Sequence, residues 1–172
     1  HAKMGKEMNW YAESTHALQR LYGPDWHLMA GFLAATSANS SVKANLTLAQ
    51  KAFNQWHHGK PFHGYLKDVQ RNLERVVKGE RLKGDKISAF HDALLGDEGA
   101  LVIDRWIFRA YGTKNRERIA SLMTVEATAR KMTIASYQAE VWKEAKRTGR
   151  PGDTDRSFGA LLKEKGHQLT LF

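Results

Sequence analysis

Apolar residues recur every three or four positions along most of this chain, and that period constrains the fold more than any other feature. Leu46, Ala49, Phe53 and Trp56 fall on one face of a helix, with Lys43, Thr47, Gln50 and Asn54 on the other. Leu66, Val69, Leu73 and Val76 repeat the pattern, with Lys67, Arg71, Arg75 and Lys78 facing outward. Strands require alternation with a period of two, rich in β-branched residues, and such runs are nearly absent. Only three prolines occur in 172 residues, so few helices are interrupted. The fold class predicted is all-α.

Taken in order, residues 6–21 read as a first helix that Tyr22, Gly23 and Pro24 bring to an end. Asp25 is placed to cap a second helix through Trp26, Met29, Ala30 and Leu33. Small polar residues from Thr36 to Ser41 break that helix, and Ser40 or Ser41 can cap the third. A turn from His57 to Pro61 precedes a fourth helix near residues 63–77. Two later helices span residues 118–131 and 133–147, the second with Ile134, Tyr137, Val141 and Ala145 inside. Its far end is basic, with Lys143, Lys146, Arg147 and Arg150 as either a second phosphate contact or a solvated helix end. Thr148 to Asp153 is a strong breaker, and a short helix is expected around residues 158–163.

Composition narrows the function. Hydrophobic residues make up 42% of the chain, enough for a packed core, and no apolar run approaches the ~20 residues of a membrane span. The first residues lack the apolar centre of a signal peptide. With no cysteine, disulfides, cysteine–zinc sites and thiolate-held iron–sulfur clusters are excluded, and a cytoplasmic setting is the default. His57, His58 and His63 lack ligand spacing, so neither a metal nor another cofactor is expected. The net charge of +9 points to a polyanionic partner, of which nucleic acid is the commonest; the alternative is a basic but inert surface.

The remaining stretch, residues 82–112, is the centre of the chain. A glycine turn leads into Lys86, and a second turn at Gly96, Asp97, Glu98 and Gly99 leads into an apolar run that ends in Asp104. This order resembles the helix–hairpin–helix DNA glycosylase superfamily, which includes endonuclease III and the adenine and 8-oxoguanine glycosylases. Gly84, Asp85 and Lys86 match the end of the family's hairpin, and the run from Val102 to Arg109 matches its aspartate signature. The lysine and aspartate are separated in sequence much as in the endonuclease III branch. Upstream, Leu33 to Val42 is similar to the segment that presents an amide side chain to DNA, here Asn39. The family's hairpin usually carries two glycines; here the first position is Leu82. The stretch also resembles phage enzymes of glycosylase type that install groups on thymine.

The resemblance implies a two-lobed helical bundle. Residues 25–112 form a six-helix-barrel-like lobe with the hairpin, and residues 1–24 and 113–172 form a second lobe across the cleft. It further implies a monomer acting on double-stranded DNA, with no membrane involved. Cleaving an N-glycosidic bond builds positive charge on the sugar, so a carboxylate near C1′ stabilises the transition state, a role that falls to Asp104. A glycosylase that also nicks uses an amine that attacks C1′, and Lys86 takes that role. That amine must be at least partly deprotonated, which desolvation beside DNA favours. Asn39 would hold open the gap left by the flipped base. The backbone of Lys83, Gly84 and Asp85 would bind a phosphate, Lys43, Lys83 and Arg109 would add charge, and Trp106 and Phe108 would line the base pocket.

Taken singly, each residue has a plainer reading. Asp104 is then the N-cap of the next helix, Lys86 a solvated first-turn lysine, Trp106 and Phe108 core, and Asn39 a loop residue. Their joint order carries the resemblance. Three functions remain open: a DNA glycosylase with lyase activity, a phage DNA transferase that modifies a flipped hydroxymethylpyrimidine derivative, and a DNA-binding module without catalysis.

Overall fold

The computed structural model describes residues 10–38, 40–103 and 105–149. Within them the chain is all-α: α1 (Trp10–Tyr22), α2 (Trp26–Ala35), α3 (Val42–His57), α4 (Lys67–Lys78), α5 (Asp85–Leu94), α6 (Arg105–Tyr111), α7 (Arg116–Ala129) and α8 (Ile134–Gly149). No strand occurs among the described residues. None of the described helices is long and apolar enough to cross a membrane. The helix expected around residues 158–163 lies outside the described residues.

One helix start follows the sequence, one carries a cap the sequence reading did not name, and two depart from it. Ser41 caps α3, its Oγ accepting the Ala44 N–H at 3.1 Å. Asn115 caps α7 in the same way, through the Arg118 N–H at 3.1 Å. Asp25 makes no side-chain cap; a 3₁₀ turn over Gly23–Asp25 runs straight into α2 instead, with Pro24 in its first turn. The fourth helix begins at Lys67 rather than near residue 63, because Gly64 takes φ +88 and Leu66 is still extended. Leu66 is therefore 79% exposed, a correction to its expected place on the apolar face. It precedes the helix whose face it was expected to share.

Helix α2 is the axis of the core. Every residue from Met29 to Ala35 is buried, and α1, α3, α4 and α5 all pack against it. A helix apolar on all sides can only sit inside. Its small residues make that possible: at Gly31 an added Cβ would fall 2.5 Å from Val76 Cγ1, so α4 crosses directly over the glycine. The cluster around α2 takes Leu18 and Tyr22 from α1, Leu46 and Phe53 from α3, Leu73 from α4 and Phe90 and Leu94 from α5.

A second, smaller cluster joins Ile107 of α6, Ile119, Met123 and Ala127 of α7 and Tyr137 of α8. The structure thus packs α1 against α2, α5 and α8, α3 and α4 against α2, and α6 and α7 against α8. The chain passes between clusters within two residues: Val102 belongs to the larger and Ile103 to the smaller. Helix α8 does the same on a larger scale, with Ala135 and Ala139 in the larger cluster and Tyr137 in the smaller.

Candidate functional site

The hairpin between α4 and α5 is built from two glycines of different duty. Gly79 adopts φ +72 and closes α4: its N–H reaches the Val76 carbonyl at 3.1 Å, and the Glu80 N–H reaches Arg75 at 2.9 Å. That pair of bonds is a Schellman cap. Gly84 adopts φ +107 and opens α5, its carbonyl accepting the Ser88 N–H at 2.9 Å. Between them Leu82 is only 3% exposed and packs into the larger cluster. Lys83 and Asp85 are exposed, and Lys86, in the first turn of α5, is half-buried.

The expected phosphate-binding amides are only partly available. The Lys83 N–H donates to Asn72 Oδ1 at 2.9 Å, so it is already used inside the protein. The start of α5 itself carries no side-chain cap among the described residues, which leaves this helix end to backbone amides.

A second loop, between α2 and α3, is held in a similar way. Asn45, 3% exposed, donates through Nδ2 to the Leu33 carbonyl at 2.9 Å and to Thr36 Oγ1 at 2.7 Å. Ser37 Oγ donates to the Ala34 carbonyl at 2.7 Å. Lys43 is exposed in the first turn of α3. Asn39 lies in this loop but outside the described residues, as does Asp104 just before α6.

Helix α6 places its candidates unequally. Trp106 is 7% exposed, Phe108 is half-buried and Arg109 is exposed. The Arg109 guanidinium carbon sits 4.9 Å from the centre of the Trp106 ring, and that of Arg116 sits 5.1 Å from Phe108. Arg109 also borders a groove of about 570 Å³ with Arg130, Tyr137, Glu140 and Val141. Lys83, Gly84, Asp85 and Lys86 thus share one hairpin on the larger cluster. Trp106, Phe108 and Arg109 share α6, whose Ile107 and Phe108 pack into the smaller cluster.

At the basic end of α8, read as either a phosphate contact or a solvated helix end, Arg147 is exposed and Lys146 is not. Lys146 is 5% exposed, its Nζ 4.9 Å from the Trp142 ring centre, and Arg147 pairs with Glu144. Arg150 lies outside the described residues. Among the described residues no cluster of three or more His, Asp or Glu could hold a metal ion.

Asn72 and Asn45 are the site residues that sequence reasoning missed. Their signal was present: each is a polar residue at a position where the helical period calls for an apolar one, beside Leu73 and Leu46 respectively. A polar residue there must find buried partners.

The fold is that of an all-α protein built around α2, in which the turn between α4 and α5 is held by Asn72. Residues 2–147 match a family of unknown function (DUF7178), and the chain belongs to that family. No curated protein and no solved structure matches it.

Proposed function

We propose that the protein is a DNA glycosylase of the helix–hairpin–helix type, with lyase activity, acting on a flipped base in duplex DNA. The observation that carries this reading is the α4–α5 unit: a hairpin that opens α5 through Gly84 at φ +107, with Lys86 in the next turn. A glycine in this conformation lets a DNA strand approach the backbone closely, and the uncapped helix end beyond it favours a phosphate. The excess of 27 Lys and Arg over 18 Asp and Glu supports a polyanionic partner.

In this reading the base leaves as the C1′–N bond breaks, and Asp104 offsets the positive charge that develops on the sugar. The neutral Lys86 amine bonds to C1′, one of its protons passes to O4′ as the C1′–O4′ bond breaks and the sugar ring opens, and a protonated Schiff base results. Removal of a proton from C2′ then expels the 3′ phosphate by β-elimination. Asn39 fills the gap in the stack, Lys43, Lys83 and Arg109 meet phosphates, and Trp106 and Phe108 flank the base.

Borohydride trapping on abasic-site duplex tests the lysine. The covalent adduct should form with the unaltered protein, vanish in Lys86→Ala and persist in Lys60→Ala, a lysine on an exposed turn. Asp104→Asn should slow base release at least about tenfold while leaving duplex binding in place. Nucleoside mass spectrometry on damaged and modified duplexes distinguishes the outcomes. A free base supports the proposal, a mass gain on an intact nucleoside replaces it with a base-modifying transferase, and binding without product replaces it with a non-catalytic DNA-binding protein.

A further inference from the structure

Asn72 stands on the inward side of α4 beside Leu73 and close to Val76, and only 3% of it is exposed. A buried amide is costly to leave without hydrogen-bond partners, so its bonds must account for its presence there. Nδ2 donates to the Lys83 carbonyl at 3.1 Å, and Oδ1 accepts the Lys83 N–H at 2.9 Å. Oδ1 also accepts Arg75 Nη1 at 2.8 Å. One side chain therefore binds both polar groups of a single backbone residue, as a neighbouring strand would. Such a pair fixes the residue's orientation as well as its distance.

The placement of that residue matters. Lys83 directly precedes Gly84, where the chain turns into α5, and Lys86 follows within the first turn. The hairpin also lacks a glycine at Leu82, whose side chain is buried in the larger cluster instead. Leu82 anchors the hairpin by packing, and Asn72 orients it by hydrogen bonding.

We infer that Asn72 is a positioning residue for the Lys86 amine, an inference that rests on the glycosylase reading above. By holding the Lys83 peptide it starts α5 in one place, so the amine meets C1′ in one geometry. Small displacements of a reacting group are costly: about 1 Å is worth up to about a hundredfold in rate.

The test is single-turnover borohydride trapping by the full chain on duplex DNA with one abasic site, with protein in excess. Asn72→Leu keeps the branched skeleton, in a larger volume, and removes every bond to Lys83. Asn72→Asp keeps the acceptor for the Lys83 N–H and Arg75 but loses the donor to the Lys83 carbonyl. The trapping rate constant should fall about tenfold or more in Asn72→Leu and by a smaller factor in Asn72→Asp, with final amplitudes preserved. A purely structural role would leave the rate constant unchanged while folded protein remains in saturating excess, and would lower only the urea midpoint. Unchanged rate constants alongside an active unaltered protein overturn the inference alone. An unaltered protein that forms no adduct overturns the glycosylase reading and this inference with it. Should Asn72→Leu fail to fold, the rate constant of Asn72→Asp decides.

Discussion

Gly84 is constrained by its backbone rather than by crowding. A Cβ there would lie 3.7 Å from Ile87 Cδ1, an ordinary contact, yet φ +107 is a conformation that other residues adopt only under strain. Gly84→Ala should therefore lower stability by about 1–3 kcal/mol in urea denaturation, despite the better helix propensity of alanine. His91 sets a different condition. Burial holds its imidazole below the usual value of 6.5, Asp92 opposes that shift and Arg81 adds to it. The folded protein thus favours the neutral ring, while the unfolded chain takes up a proton near pH ~6.5. The stability this group contributes is complete above that pH and is lost as pH falls through the lowered folded value. The urea midpoint should drop between pH 7 and pH 5, and drop less in His91→Gln. Glycine at a helix start is legible in sequence, because turn and helix are local. The His91 shift is not legible, because the burial that causes it exists only once the helices have packed.

Among the elements, the contact between α2 and α4 is the tightest constraint. Gly31→Ala would bring its Cβ to 2.5 and 2.8 Å from the two Val76 methyl carbons, so the helices must separate. Overpacking of this kind costs about 1–3 kcal/mol. Val76→Ala in the same chain should restore part of the loss, and denaturation of the four variants gives the coupling directly. Two independent sites would instead show additive effects. Helix faces were largely readable from the period: Leu46, Ala49, Leu73 and Val76 are buried as expected. Helix ends were less so. Leu66 fits the spacing but precedes the first turn, and Asp25 has a capping side chain but enters α2 from a 3₁₀ turn.

Across the whole molecule, the larger and smaller clusters are tied by the 102–103 segment and by α8. Neither cluster can lose α8 without exposing apolar surface of the other. Urea unfolding followed by far-UV circular dichroism and by tryptophan fluorescence should therefore give coincident transitions. Separate midpoints would show that the clusters unfold independently. Of the candidate site, the order of Gly84, Lys86 and Arg109 was legible, since it is a matter of spacing along one chain. The separation of the hairpin and α6 into different clusters was not, since spacing does not say which face meets which partner.

By itself the sequence determined that the chain is helical, that it is strongly basic, and that a glycine turn precedes Lys86. Those properties come from period, count and local backbone preference. Only the tertiary structure decided which backbone groups Asn72 and Asn45 hold, that Lys146 is covered, and that Leu66 is not. Burial depends on residues brought together from distant parts of the chain, and a hydrogen bond of 2.9 Å between Asn72 and Lys83 exists only once α4 and the hairpin have packed.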